Sequence, residues 1–119
     1  MATPTLVAVS EEKGVSIVEF TNAKILDEAN INEIRAAVLA LVEPADRPMI
    51  AVDFSHVDHM SSSALGMLID VRKKVLERNG KLRLCNIKPQ LFEAFVITKL
   101  DKLLKILPTR AEALASFKD

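Results

Sequence analysis

Apolar and polar positions along the chain change period several times, and each change marks an element. Residues 5–10 (Thr5-Leu6-Val7-Ala8-Val9-Ser10) are apolar and β-rich. Residues 15–20 alternate, Ser16, Val18 and Phe20 opposing Val15, Ile17 and Glu19. Between them Glu11-Glu12-Lys13-Gly14 is a polar turn ending in glycine, so the two runs predict an antiparallel hairpin. Thr21-Asn22-Ala23-Lys24 breaks the pattern, and Ile25-Leu26 returns to the core before Asp27. From there the period is helical. Ile31, Ile34, Val38, Leu41 and Val42 form one stripe, Asp27 is the expected cap, and Pro44 ends the helix.

Met49-Ile50-Ala51-Val52 is a continuous apolar run, as expected of a strand covered on both faces. A polar loop follows, and Ser61-Ser62-Ser63 open a second helix whose expected inward stripe is Leu65, Leu68, Ile69, Arg72, Val75 and Leu76. Arg72 would join that stripe through its aliphatic stem. Asn79-Gly80 ends the helix, with glycine as the expected left-handed cap. Residues 81–86 alternate and predict another strand. Lys88-Pro89-Gln90 opens a third helix with Leu91, Phe92, Phe95 and Val96 on one stripe. Residues 98–101 read as its frayed end and 103–107 as a short edge strand stopped by Pro108. Thr109 then caps a final helix that turns Ala113, Leu114 and Phe117 inward. This order predicts an α/β fold: a mixed β-sheet, N-terminal hairpin first and then βαβα order, packed with about four helices. No repeat, low-complexity segment or linker interrupts it, so residues 1–119 are expected to form a single domain.

Composition narrows the function classes. A chain of 119 residues buries about two-thirds of its unfolded surface, enough for one core. Apolar residues are 50% of the chain and aromatics only 4%, so that core must be aliphatic. Sixteen basic and sixteen acidic residues cancel, leaving no global field to steer the chain towards nucleic acid. Cys85 is the single cysteine, most simply a small core residue, and it points to a reducing compartment. Met1-Ala2-Thr3-Pro4-Thr5 lacks the basic start and apolar run of a signal peptide, and no apolar run is long enough to span a bilayer. A cytoplasmic protein without membrane insertion is expected. Its oligomeric state is open.

Candidate chemistry gathers at the three serines. At a helix start their hydroxyls lie close to N–H groups without an intrahelical partner. Such a place suits an anion, and hence a serine that gains and loses a phosphate; plain capping is the simpler reading. His56, Asp58 and His59 lack metal-ligand spacing and no further histidine or cysteine cluster completes a site, so no metal is expected. The serines lack the glycine-flanked nucleophile elbow, which leaves a small serine hydrolase built on His56, His59 and Ser62 as a remote alternative. Three glycines supply no phosphate-cradling motif, so neither a cofactor nor catalytic residues are expected. Asp53 fits an Asx-type turn, and Asp58 reads as a solvated loop carboxylate. Arg72, Lys73, Lys74, Arg78, Lys81 and Arg83 form a basic concentration near the end of the second helix. A solvated face is its default reading, and contact with an acidic partner the functional one.

The stretch from Asp53 to Leu68 resembles the signature of the STAS domain family, the bacterial anti-sigma factor antagonists. That signature runs roughly Asp-Leu-Ser, a short spacer, Met-Asp-Ser-Ser-Gly-Leu-Gly and an apolar helix. Residues 79–89 are similar to the family's glycine turn, penultimate strand and following proline-led helix, and residues 91–100 to the segment after it. Ile25-Leu26-Asp27 is similar to its Gly-x-Leu-Asp element, with Lys24 where glycine is expected. The resemblance implies a partner switch. Such an antagonist binds an anti-sigma factor that is also a serine kinase, which phosphorylates the first serine of the pair; a serine phosphatase reverses it. By position that serine is Ser62, and the implied partner surface comprises Asp27, Asp58, Ser61, Ser62, Ser63, Ala64 and Gly66. Ser61 replaces the usual Asp and Ala64 the usual Gly. Both departures favour an alternative, a STAS adaptor in a signalling or lipid-transport assembly that is never phosphorylated.

Overall fold

In the computed structural model, which describes residues 6–118, the expected hairpin is formed by β1 (Val7–Glu12) and β2 (Val15–Phe20). They pair antiparallel from Val7↔Phe20 to Glu12↔Val15, so Glu11 and Glu12 belong to the strand and not to the turn. The turn is Lys13-Gly14 alone, both at positive φ (54° and 82°), the mirror-image geometry that matches strand twist. Thr5, expected to open the first strand, lies outside the described residues.

The remaining elements are β3 (Lys24–Ile25), α1 (Glu28–Val42), β4 (Met49–Asp53), β5 (His59–Met60), α2 (Ser62–Glu77) and β6 (Lys81–Cys85). They are followed by α3 (Pro89–Ile97), α4 (Leu100–Leu103), β7 (Ile106–Leu107), α5 (Arg110–Ala115) and a 3-10 turn, Ser116–Lys118. The main sheet has the order β1-β2-β4-β6-β7, and only its β1–β2 pair is antiparallel. This is the expected mixed sheet, with five helices among the described residues where about four were expected.

Register explains the layers. Val18, Phe20, Ile50, Val52, Leu82 and Leu84 share one face and form the main core with α1, α2 and α3. Val15, Ile17 and Ala51 share the other, covered by Phe117 and the half-buried Leu114. Central β4 is thus covered on both sides, which is why its sequence does not alternate. Each fully buried aliphatic side chain in these layers contributes roughly 1.5–3 kcal/mol relative to exposure.

Several expected boundaries shift. In α2 the buried face is Ala64, Leu65, Met67, Leu68, Val71 and Val75, while Ile69 and Arg72 are half-buried and Leu76 is 48% exposed. The helical repeat runs from small Ala64 through Val71 to Val75, and a stripe started from Leu65 misses it. In α3 only Leu91 and Phe95 are buried; Phe92 and Val96 stay exposed. The expected frayed end is a built turn. Thr98 Oγ1 donates to the Ala94 carbonyl (2.7 Å), Lys99 turns left-handed (φ 63°), and α4 follows. The last strand therefore shrinks to two residues, Leu103 lying in α4. β3 and β5 are too short to show a period, and both fell in segments expected to be irregular.

At the end of α2 the left-handed residue is Asn79 (φ 59°), not Gly80. Gly80 is needed for another reason, since a Cβ there would lie 2.2 Å from the Pro48 carbonyl oxygen. At Gly66, within α2, an added Cβ meets nothing within 4 Å. Gly80→Ala should therefore destabilise by about 1–3 kcal/mol through overpacking. Gly66→Ala should stabilise by about 0.5–1 kcal/mol through helix propensity. Urea unfolding midpoints should move in opposite directions for the two variants.

Candidate functional site

The serine junction is built from the end of β4. Phe54 and Val57 are both fully buried, and Phe54 packs edge-on against Phe20 (centroids 5.1 Å apart) and Phe95 (6.1 Å). These anchors leave the polar residues between them at the surface. The Asp58 and His59 N–H groups then donate to the Ala23 carbonyl (2.7 and 3.2 Å), and Ser61 N–H to that of Ile25 (3.0 Å). So β5 runs parallel beside β3, Lys24 opposite His59 and Ile25 opposite Met60.

That ribbon brings three helix starts to one place. Asp27, two residues beyond β3, caps α1 by accepting the Ala29 N–H (2.7 Å). Ser61, the residue after β5, caps α2 by accepting the Ala64 N–H (3.2 Å). Asp58 pairs with Lys88, the residue that precedes α3. The hydrogen bond from Lys88 is the main reason the Asp58 carboxyl is held below its ordinary pKa, with Lys24 and His59 adding to the same effect. Asp58 is thus a partnered carboxylate and not simply a solvated one.

Ser62 and Ser63 occupy the first two positions of α2, and both are exposed. Among the described residues their N–H groups and hydroxyls have no protein partner. The first turn carries no acidic side chain, so the positive end of the helix dipole is not neutralised there. Gly66 is exposed one turn further on, and Ser61 is half-buried. Ala64 differs. It is fully buried, and its methyl group faces the core and not a partner.

A second cluster lies at the same end of β4, on the opposite sheet face. Asp53 is 2% exposed. Its Oδ1 accepts the Ser55 N–H (2.9 Å), the expected Asx-type bond. Its Oδ2 accepts from Asn86 Nδ2 (3.1 Å) and from Arg110 Nε and Nη2 (3.0 and 2.8 Å). Arg110 also reaches Glu19 (3.5 Å), which pairs on its other oxygen with His56 (3.2 Å). Burial alone would raise the Asp53 carboxyl; the bonds from Ser55, Arg110 and Asn86 outweigh it and hold the pKa below its ordinary value. Neighbouring Cys85 is fully buried, and its thiol is pushed up to about 12 by burial first and the Asp53 charge second, so it stays protonated.

Sequence reasoning missed Arg110 and Asn86. The available signal was that Glu19 and Asp53 fall on the same sheet face as Ile17 and Ala51, so two carboxylates there call for a cation. Neither histidine serves Ser62. His56 is turned to Glu19, and among the described residues His59 bonds to no side chain. Among the described residues no group of His, Cys, Asp and Glu is placed to hold a metal.

The anchor makes a pH prediction. A lowered carboxyl pKa gives stability that is complete above the unfolded value, near 4, and is lost as pH falls through the folded value. Asp53→Asn should lack that part of the acid-side slope. At neutral pH it should be less stable by about 1–3 kcal/mol, a buried-pair cost reduced because Arg110 is 36% exposed. Denaturant titrations between pH 3 and 7 would check both; parallel curves for the two proteins would contradict them.

The STAS domain family model matches residues 7–113. A relative from Bordetella bronchiseptica, BtrV, which carries the name of an anti-sigma factor antagonist, is 29% identical over 94 residues, 79% of this chain and 80% of its own. Among solved structures, an anti-sigma factor antagonist domain protein from Planctomyces limnophilus superposes with a TM-score of 0.87 at 23% identity, over 95% of this chain and 98% of its own. SpoIIAA of Bacillus, solved in its phosphorylated form, superposes with a TM-score of 0.68 at 16% identity, over 92% and 97%. At these identities the solved structures establish the fold, and they agree with the mixed sheet described above. With the family model spanning nearly all the described residues, the chain belongs to the STAS domain family.

Proposed function

We propose that this protein is a cytoplasmic anti-sigma factor antagonist, a single-domain binding module and not an enzyme. Its partner is an anti-sigma factor that is also a serine kinase. Phosphorylation of Ser62 by that kinase turns binding off, and a serine phosphatase restores it, with no direct contact to nucleic acid. The observation that carries the reading is the exposed Ser62 hydroxyl at the first position of α2, where the N–H groups of Ser62 and Ser63 are uncommitted. A phosphate there adds roughly −2 charge beside the positive end of a helix, so the fold tolerates it while the surface changes sign. Asp27, Asp58, Ser61, Ser63 and Gly66 surround it on the shared surface of the helix starts.

The two departures from the family signature fit this reading. Ser61 performs the capping that a carboxylate would perform, without adding a negative charge beside a phosphate on Ser62. Ala64 turns its methyl inward, so it does not stand between a partner and the helix. The alternative reading, a never-phosphorylated STAS adaptor, rests on the same two positions. A hydrolase at Ser62 would need a base within hydrogen-bond reach of its hydroxyl. Of the two histidines close in sequence, His56 is engaged with Glu19, and among the described residues His59 makes no hydrogen bond to Ser62.

Incubation with the kinase-like anti-sigma factor of the same cell and ATP, followed by mapping by mass, should place one phosphate on Ser62. Ser62→Ala should accept none. Ser62→Asp should bind the anti-sigma factor at least about tenfold more weakly, some 1.4 kcal/mol, with its unfolding midpoint little changed. Normal phosphate uptake by Ser62→Ala would remove the assignment, and equal affinity of Ser62→Asp and wild type would remove the switch.

A further inference from the structure

The six cations that cluster in sequence near the end of α2 separate in space. Arg78 donates to the Ala45 carbonyl (3.4 Å), Lys74 pairs with Glu77 (3.8 Å), and Lys73 lies beside Arg35 and Asp70. Arg72, Lys81 and Arg83 instead meet Lys105 around a groove of about 200 Å³. The rest of its lining is Leu76, Leu82, Leu103, Leu104 and Gly80. Every charged residue there is a cation, in a chain whose formal net charge is zero.

The groove exists because the sheet edge is left half covered. β7 pairs with β6 only at Leu84↔Ile106 and Cys85↔Leu107, so among the described residues the first half of β6 has β4 on one side and no strand on its outer edge. Lys81 N–H donates towards β4, to the Pro48 carbonyl (2.8 Å), and Leu84 N–H towards β7, to that of Lys105 (2.9 Å). By the alternation of a strand, the Leu82 N–H faces the open side. The left-handed Lys99 turns the chain into α4, which carries Leu103 to the groove without closing it: Leu76 and Leu103 stay 48% and 42% exposed. Lys81 and Arg83 are braced by the C-terminal turn, through the Phe117 carbonyl (3.3 Å) and Ser116 Oγ (2.9 Å). Arg72 and Lys105 form no ion pair among the described residues.

We propose that this groove is a docking site for an acidic, leucine-bearing peptide segment of a partner protein. One apolar side chain of the segment sits between Leu76 and Leu103, flanking carboxylates meet Arg72 and Lys105, and a main-chain carbonyl accepts the Leu82 N–H. The cations stand on three elements, α2, β6 and the α4–β7 link, around an open trough. That arrangement suits carboxylates spaced along a chain better than the single headgroup of a fatty acid. Leu76 lies fourteen residues beyond Ser62 on α2, about 21 Å at 1.5 Å per residue, so the groove and the serine junction can be occupied together. The groove does not depend on Ser62 being phosphorylated.

The test uses the full chain and a fluorescent peptide, Glu-Leu-Glu-Asp-Leu-Glu, beside an analogue with Gln and Asn for its acids. Wild type should bind the acidic peptide saturably, more weakly as salt rises, and the analogue at least tenfold less well. Arg72→Glu and Lys105→Glu should each weaken binding at least tenfold, and Ser62→Asp should leave it unchanged. Amide shifts should centre on Leu76, Leu82 and Leu103. Unfolding midpoints check that both charge variants fold; should Arg72→Glu not fold, the strand-flanking Lys105→Glu decides. Equal binding of the neutral analogue, no saturable binding of the acidic peptide, or undiminished affinity in the folded variants would overturn the proposal. So would saturation by decanoate without peptide binding, which would give the groove to a lipid.

Discussion

The Asp53 carboxylate holds the working end of this fold together. It is almost fully buried at the end of the central strand, where an unpaired charge would cost several kcal/mol. Four donors remove that cost, and they come from three parts of the chain: the loop after β4, the residue after β6, and Arg110 at the start of α5, which supplies two nitrogens. One carboxylate therefore fixes the exit angle of β4, the exit of β6 and the position of the last helix. Apolar packing alone would tolerate small slides among these elements. The directional bonds do not.

The serine junction depends on that anchor. With the β4 exit fixed, Phe54 and Val57 pin the loop to the core, and β5 can lie only beside β3. This two-stranded ribbon converts a central strand into a platform where α1, α2 and α3 all begin. The serines on it need not move the fold in order to matter, because their hydroxyls and N–H groups already face solvent. A switch by added charge is then a surface event on a rigid support, and the helix dipole stabilises the added charge within the fold.

Much of the fold was legible in the sequence wherever a period persisted. The hairpin, α1, β4, β6 and the capped ends at Asp27, Ser61 and Thr109 follow from alternation, helical stripes and capping residues. Legibility failed where elements are too short to repeat, as in β3, β5 and α4, or where small side chains carry a buried face, as Ala64 does in α2. Gly80 looked like a left-handed cap, but its constraint is the Pro48 backbone, which is remote in sequence. The serines could be placed at a helix start from local signals. The partners of Asp53 and Asp58 could not, because Arg110 and Lys88 lie 57 and 30 residues away and only the folded topology brings them near.

The central claim is that charge added at Ser62 changes the surface of the helix starts and leaves the scaffold unchanged. It is tested most directly by amide chemical shifts and hydrogen exchange of the protein phosphorylated at Ser62, compared with the unmodified chain. The account predicts shifts confined to β3, β5 and the first turns of α1, α2 and α3, with unchanged exchange protection in β4, β6 and the Asp53 cluster. Shifts and lost protection spreading through the central strands would contradict it.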